Sequence, residues 1–324
     1  MTDTACLFTT GSVSFGTGGF SASAGSHPGR SRQRNEDRYE LDPQAGFMLV
    51  VDGIGGHAAG DVAAGLAADA VRRRMRVLDA PAADRVRDAI LLANARILER
   101  STREPEMKGM ACVLTLAAVS DGALVVGHVG DSRLYKLSAG GISKLTHDHS
   151  PIGDREDRGE LTEMEAMRHP RRNEIFRDVG SRPHQAADED FIELFTTTIE
   201  ADAAVLLCSD GLSDMVTSVE MQRIIRAEAG DPASVVGALI DAANAAGGKD
   251  NITAVYVQGP DFADRIRNGA TLPLTPTPIE RDARPPAPAR SDVFRWPAWR
   301  PYLFLVLGVL LGVLATLALV RSSS

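Results

Sequence analysis

The chain has 324 residues, 44% hydrophobic and 24% charged, with a net charge of −8; this composition excludes a wholly disordered chain and allows one or two domains. The acidic balance offers no basic face to nucleic acid. Cys6, Cys112 and Cys208 form no Cys-x-x-Cys pair, which argues against a disulfide framework or a zinc site and suits a reducing compartment.

The first residues lack a basic segment followed by an apolar one, so no secretory signal is expected. Residues 1–19, rich in Gly, Ser and Thr, read as a flexible arm, with a strand near 20–24. Residues 47–51 are a continuous apolar run, a buried strand that ends in Asp52-Gly53. Residues 61–77 and 82–100 read as helices, the second with Val86, Ile90, Ala93 and Ile97 on one face. Strands follow at 112–119 and 123–129 around Ser120-Asp121-Gly122, and at 134–137 and 142–145 around Ala139-Gly140-Gly141. A short helix at 161–168 opens with a capping box, Thr162 to Glu165. Residues 203–208 are a second buried strand, ending in Ser209-Asp210-Gly211. Helices at 219–229 and 232–246 start at Thr217 and at Asp231-Pro232, the second stopping at Gly247. Asp250-Asn251 opens the last strand, 252–257. Tight hairpins and two pairs of helices predict an α+β fold, an antiparallel sheet structure packed with helix pairs, over residues 20–259.

Prolines recur and apolar periodicity disappears over 260–301, which reads as a Pro- and Arg-rich tether. The run from Tyr302 to Val320 carries no charge and is long enough to cross a bilayer as one C-terminal transmembrane helix; residues 321–324 are a short tail. Arg284, Arg290, Arg295 and Arg300 precede the span, and one arginine, Arg321, follows it. That bias places the preceding domain in the cytoplasm, and Trp296, Trp299 and Tyr302 stand where interfacial aromatics belong.

Four acidic residues stand at strand ends: Asp52, Asp131, Asp210 and Asp250. Carboxylates gathered at one rim of a sheet repel one another unless a cation sits among them. An oxygen-rich set without matching His or Cys favours Mg²⁺ or Mn²⁺ over Zn²⁺. No thiol-phosphatase loop follows Cys112 or Cys208, and no phosphate-cradling Gly-x4-Gly-Lys loop exists.

Seven stretches, in order, resemble the metal-dependent protein serine/threonine phosphatases of the protein phosphatase 2C type, in their bacterial form. They are Arg32-Gln33-Arg34-Asn35-Glu36-Asp37, Asp52-Gly53-Ile54-Gly55-Gly56-His57 with Gly60, and Gly130-Asp131-Ser132-Arg133. Then come Leu145-Thr146-His147-Asp148-His149-Ser150, His169-Pro170-Arg171-Arg172-Asn173, Ser209-Asp210-Gly211-Leu212 and Asp250-Asn251-Ile252-Thr253. The resemblance covers residues 20–258. It implies an antiparallel β-sandwich flanked by helix pairs, with Mn²⁺ or Mg²⁺ at one edge. It implies that Asp52 bridges two core ions, that the Gly53 carbonyl and Glu36 serve one, and that Asp210 and Asp250 hold the other. Asp131, with Asp210, would hold a third, weaker ion, and Arg32 would grip the substrate phosphate. Many animal relatives have His after the first Asp-Gly; here Ile54 stands there, which leaves the group that protonates the leaving oxygen open. His147 and His149 are expected to order a loop, and 150–182 to include a mobile flap.

The expected activity is therefore hydrolysis of phosphoserine and phosphothreonine in proteins by a metal-activated water. The enzyme would oppose a cognate Ser/Thr kinase from the inner (cytoplasmic) membrane as a single-pass protein with its catalytic domain in the cytoplasm. The alternatives are a catalytically inactive phosphoprotein-binding module of the same fold, and a membrane adaptor.

Overall fold

A computed structural model describes residues 7–15, 18–55, 59–120, 122–138 and 141–268. Among these residues, eleven strands form two sheets in which every pairing is antiparallel. The first sheet has six strands, in the order β1 (Leu7–Phe15), β2 (Gly18–His27), β11 (Ile252–Gln258), β10 (Ala204–Cys208), β7 (Arg133–Ser138) and β8 (Gly141–Lys144). The second has five, in the order β3 (Arg38–Asp42), β4 (Phe47–Ile54), β5 (Ala111–Ser120), β6 (Ala123–Val129) and β9 (Glu193–Thr198). Helices α1 (Ala59–Met75) and α2 (Ala82–Arg103) cover the five-stranded sheet, and α6 (Ser218–Ala227) and α7 (Pro232–Ala245) cover the six-stranded one. Short helices α3 (Pro151–Asp157), α4 (Glu163–Met167), α5 (Asp210–Ser213) and α8 (Phe262–Arg267) fill the connections.

The central strands read as unbroken apolar runs because both of their faces are buried. In β4, Phe47, Leu49 and Val51 face the α1–α2 layer, while Met48 and Val50 enter the core between the sheets. In β10, Leu206 and Cys208 face α6 and α7, and Val205 and Leu207 face the opposite sheet. Fully burying each such side chain contributes about 1.5–3 kcal/mol. Helix α1 turns Ala63, Ala64, Ala67 and Ala68 inward, and these small side chains let it lie close on β4. The capping box at Thr162 and Glu165 forms as expected.

Several boundaries differ from the sequence-based expectation. The arm assigned to 1–19 carries β1, paired with β2 along its whole length. The tether assigned to 260–301 begins later, because Phe262 is 1% exposed and packs with the α6–α7 core. Strands β3 and β9 gave no apolar run because each lies at an edge of its sheet. Among the described residues no helix is long and apolar enough to cross a membrane; the apolar run at 302–320, the rest of the tether, and His57 lie outside them.

Candidate active site

In an antiparallel sandwich the outgoing ends of alternate strands share one rim. Here β4, β6 and β10 run outward to that rim, and β7 and β11 start from it. Asp52 and Gly53 lie near the end of β4, Asp131 in the turn from β6 to β7, Asp210 just past β10, and Asp250 just before β11. The loop from β2 to β3 brings Arg32, Glu36 and Asp37 to the same place.

Two close approaches shape the rim. A Cβ on Gly53 would lie 2.2 Å from the Gly60 carbonyl oxygen, and one on Gly60 would lie 2.4 Å from Glu36 Oε2. Glycine at both positions therefore lets the end of β4, the first turn of α1 and the Glu36 carboxylate pack together. A Cβ on Gly211 would lie 1.9 Å from the Asn251 carbonyl oxygen, so only glycine lets α5 start against the β11 turn.

Below the rim, hydroxyls and amides tie the two ligand-bearing turns to the Arg32–Asp37 loop. Ser209 Oγ and Thr253 Oγ1 both donate to Asp37 Oδ2, at 2.7 and 2.6 Å. The Thr253 amide donates back to Ser209 Oγ at 3.0 Å. The Glu36 amide donates to Asn251 Oδ1 at 2.7 Å, and Asn251 Nδ2 donates to the carbonyls of Pro28 and Arg34 at 3.0 and 2.9 Å. Arg32 Nη2 donates to Asp250 Oδ2 at 2.8 Å.

The electrostatics of this cluster are unfavourable without a cation. Burial, then Asp37, Asp210, Asp131 and Asp250, push the Asp52 carboxyl well above the usual carboxylate range. Burial and then Asp210 raise Asp131 in the same way. Burial and Asp250 push Asp210 up to about 6, although Arg172 and Arg32 oppose them. Burial raises Glu36, and Arg32 draws it back. Two acids to which the sequence reading assigned no role join the group. Burial pushes Asp37 up to about 7 despite its two hydroxyl donors, and burial and Asp210 push Asp214 up to about 7. Asp214 lines a cleft with Asp131, Asp210, Arg133 and Arg172.

The donor set fits a hard divalent cation on an observation independent of charge. Asp210 Oδ1 is buried and has no hydrogen-bond partner, and neither does Asp37 Oδ1. A buried carboxylate oxygen left unpaired costs several kcal/mol, and a cation at the rim removes that cost. A divalent ion at about 100 times its dissociation constant should then stabilise the fold by about 2.7 kcal/mol. The expected result is a thermal midpoint several degrees higher in Mn²⁺ or Mg²⁺ than in chelator, measured by differential scanning fluorimetry.

A second group, His128, His149 and Glu193, has the residue types of a metal site, but its atoms are engaged. His128 Nδ1 meets Thr115 Oγ1 at 2.9 Å, and its Nε2 faces the carbonyls of Gly130 and His147 at 3.0 and 2.9 Å. The Gly130 amide donates to His149 Nδ1 at 3.0 Å. Glu193 receives the His147 amide at 3.0 Å and meets its ring Nδ1 at 2.5 Å. Burial and then His128 lower His149 to about 3, so its ring is neutral. This group braces the turn that carries Asp131.

The structure thus brings Arg32, Glu36, Asp52, Gly53, Asp131, Asp210 and Asp250 to one rim. Comparison with known proteins points the same way. The family model for protein phosphatase 2C matches residues 24–229. The serine/threonine phosphatase stp of Listeria welshimeri is 34% identical over 238 residues, covering 71% of this chain and 92% of that protein. The crystal structure of the Mycobacterium tuberculosis serine/threonine phosphatase PstP/Ppp superposes with a TM-score of 0.67 at 30% identity, covering 74% of this chain and 98% of the other. The catalytic domain of PstP in complex with two manganese ions superposes at 0.64 with 30% identity, covering 74% and 97%.

Proposed function

The chain belongs to the protein phosphatase 2C family of metal-dependent protein serine/threonine phosphatases, and from that premise we propose how its own residues act and where. Asp52, the Gly53 carbonyl, Glu36, Asp210 and Asp250 hold two Mn²⁺ or Mg²⁺ ions, and Asp131 with Asp210 holds a weaker third. The observation that carries this assignment is the buried, unpartnered Asp210 Oδ1 within a cluster of mutually repelling acids. When bound, such ions supply a water reactive near neutral pH and offset the charge of the phosphate.

The protein's own groups do the rest. Arg32 lies at the mouth with a side chain 53% exposed. Its planar, permanently charged fork suits a phosphate, and its present bond to Asp250 is exchanged for one to the substrate. The clamp through Asp37, Ser209 and Thr253 fixes the spacing of the acids, so little reorganisation accompanies reaction. The thiols take no part, because Cys112 and Cys208 are fully buried and burial pushes Cys208 up to about 12. His128 and His149, buried and held below their usual range, are not proton donors at neutral pH. All four strand-end acids are present, which favours an active enzyme over an inactive binding module. The test is release of phosphate from phosphoserine and phosphothreonine peptides in Mn²⁺ or Mg²⁺. None should be released in chelator, and no release with either ion contradicts the reading.

The apolar run at 302–320 anchors this domain to the cytoplasmic face of the inner membrane, where it opposes a serine/threonine kinase. The support is the uncharged stretch and the arginines ahead of it. In flotation with lipid vesicles the full chain should rise with the lipid and a chain ending at Asn268 should stay at the bottom; equal behaviour of the two contradicts the anchor.

A further inference from the structure

The loop between β2 and β3 is exposed, yet its backbone is held firmly. The amides of Arg30 and Ser31 donate to the Gly248 carbonyl at 2.7 and 3.1 Å. Asn251 holds the carbonyls of Pro28 and Arg34 and the amide of Glu36. Gly29, at φ +76°, packs so closely that a Cβ there would lie 2.1 Å from the Asp250 carbonyl oxygen. On this fixed backbone the sequence reads Arg30-Ser31-Arg32-Gln33-Arg34, and Lys249 stands on the turn that holds it.

Arg30, Arg34 and Lys249 are exposed, and among the described residues no ion pair or hydrogen bond engages their side chains. That sets them apart from helix arginines such as Arg72, Arg87 and Arg223, which pair with Asp69, Asp84 and Glu220. Of the three, only Arg34 acts on a neighbouring acid, helping to draw Glu36 down from the level burial gives it; no ion pair holds any of them in place. Their positions are specific: Arg30 and Arg34 each stand two residues from Arg32, and Lys249 adjoins Asp250, the partner of Arg32. Two residues of extended chain span at most about 7 Å. The same distance separates a phosphorylated residue from its second neighbour in an extended peptide.

We propose that Arg30, Arg34 and Lys249 form a cationic rim that selects phosphosites flanked within about two residues by a further anionic group. This rests on the proposed phosphatase reading and names the substrate class that the same site prefers. Arg32 takes the phosphate to be removed; the rim takes a carboxylate or a second phosphate beside it. The contacts are exposed, so each is worth a factor of about two, and the three together give about tenfold. They are screened as ionic strength rises and the Debye length shrinks below about 8 Å.

The test compares kcat/KM for phosphothreonine peptides with neutral flanks, with glutamate flanks, and with a second phosphoserine two residues away. For the wild-type chain in low salt, at least one anionic peptide should exceed the neutral one by about tenfold. The Arg30→Ala/Arg34→Ala/Lys249→Ala variant, and wild type in high salt, should bring that ratio to about one. Whichever anionic peptide loses its advantage in the variant identifies the source of the anion. A wild-type ratio near one for both anionic peptides, or a ratio that survives in the variant, overturns the proposal. If no phosphoester is hydrolysed the phosphatase reading fails instead. The affinity ratio of the same peptides carrying a non-hydrolysable phosphonate, read by fluorescence anisotropy, then decides the rim by the same criteria.

Discussion

Asparagine at position 52 will lower kcat for phosphopeptide hydrolysis by at least about 1,000-fold while leaving the metal-free fold at least as stable as wild type. The first half follows from position. Asp52 is the acid on which Asp37, Asp210, Asp131 and Asp250 all act, so it stands where the proposed ions would be shared. The second half follows from sign. Its carboxyl is held well above the usual range by burial and by those neighbours, so in the absence of ions its charge is disfavoured, and the neutral amide removes that repulsion. Function and stability therefore pull in opposite directions at this residue. Steady-state phosphate release and thermal melts in chelator and in Mn²⁺ read both effects. A variant within tenfold of wild type, or one that melts lower in chelator and gains as much from Mn²⁺, contradicts the assignment.

Arg133→Ala will destabilise the domain by about 3–5 kcal/mol, because it breaks a buried ion pair and strands the remaining charges. The Arg133 side chain is 8% exposed and that of Asp148 is 7% exposed. Arg133 donates to Asp148 from Nε at 3.0 Å and from Nη2 at 2.6 Å, and also to Glu156 at 2.8 Å. Lys144 approaches Asp148 at 3.6 Å and would be left as its only ion-pair partner among the described residues. This network fastens β7 to α3 and steadies the turn where the His149 amide donates to the Gly130 carbonyl at 2.6 Å, directly behind Asp131. The expected fall in thermal midpoint is about 10 °C. The pH dependence has a definite sign. Burial alone would raise Asp148, but Arg133 and Lys144 overcome it and hold the carboxyl at about 2. A depressed pKa contributes stability that is present above the unfolded value of about 3.9 and is lost as pH falls toward 2. The gap between wild type and variant should be full at pH 7 and narrow between pH 4 and 2. A midpoint within 2 °C of wild type at pH 7 would show that the network is not holding the domain together.

The parts of the fold that could be read from sequence are those whose side chains repeat the geometry. β4, β10 and β11 are buried on both faces, so each is an apolar run, and the acid at each outer end marks where the chain meets solvent. β1, β3 and β9 are edge strands and carry no such signal; residues 1–19 read as a flexible arm because Gly, Ser and Thr suit an arm and an edge strand alike. α8 was hidden in a proline-rich stretch because only Phe262 and Ala263 bury themselves. The rim acids were legible because each lies in a short motif. Asp37 lies in such a motif too, but its role as a clamp arises only when the sheets meet; Asp214 lies one helical turn beyond Asp210, outside the motif. Asp37 holds Ser209 and Thr253, which are 172 and 216 residues away in sequence, and no local pattern records that. The same holds for the contrast between the paired Arg32 and its unpaired neighbours, which depends on where Asp250 lands.

Every role assigned to these residues requires that the rim be a divalent-cation centre. Isothermal titration of the full chain with Mn²⁺ measures that directly, without reference to any substrate. The expected result is saturable binding of at least two ions per chain, and weakened, substoichiometric binding by the Asp52→Asn variant. Absence of binding to the wild-type chain, or binding by the variant with undiminished affinity and stoichiometry, would contradict it.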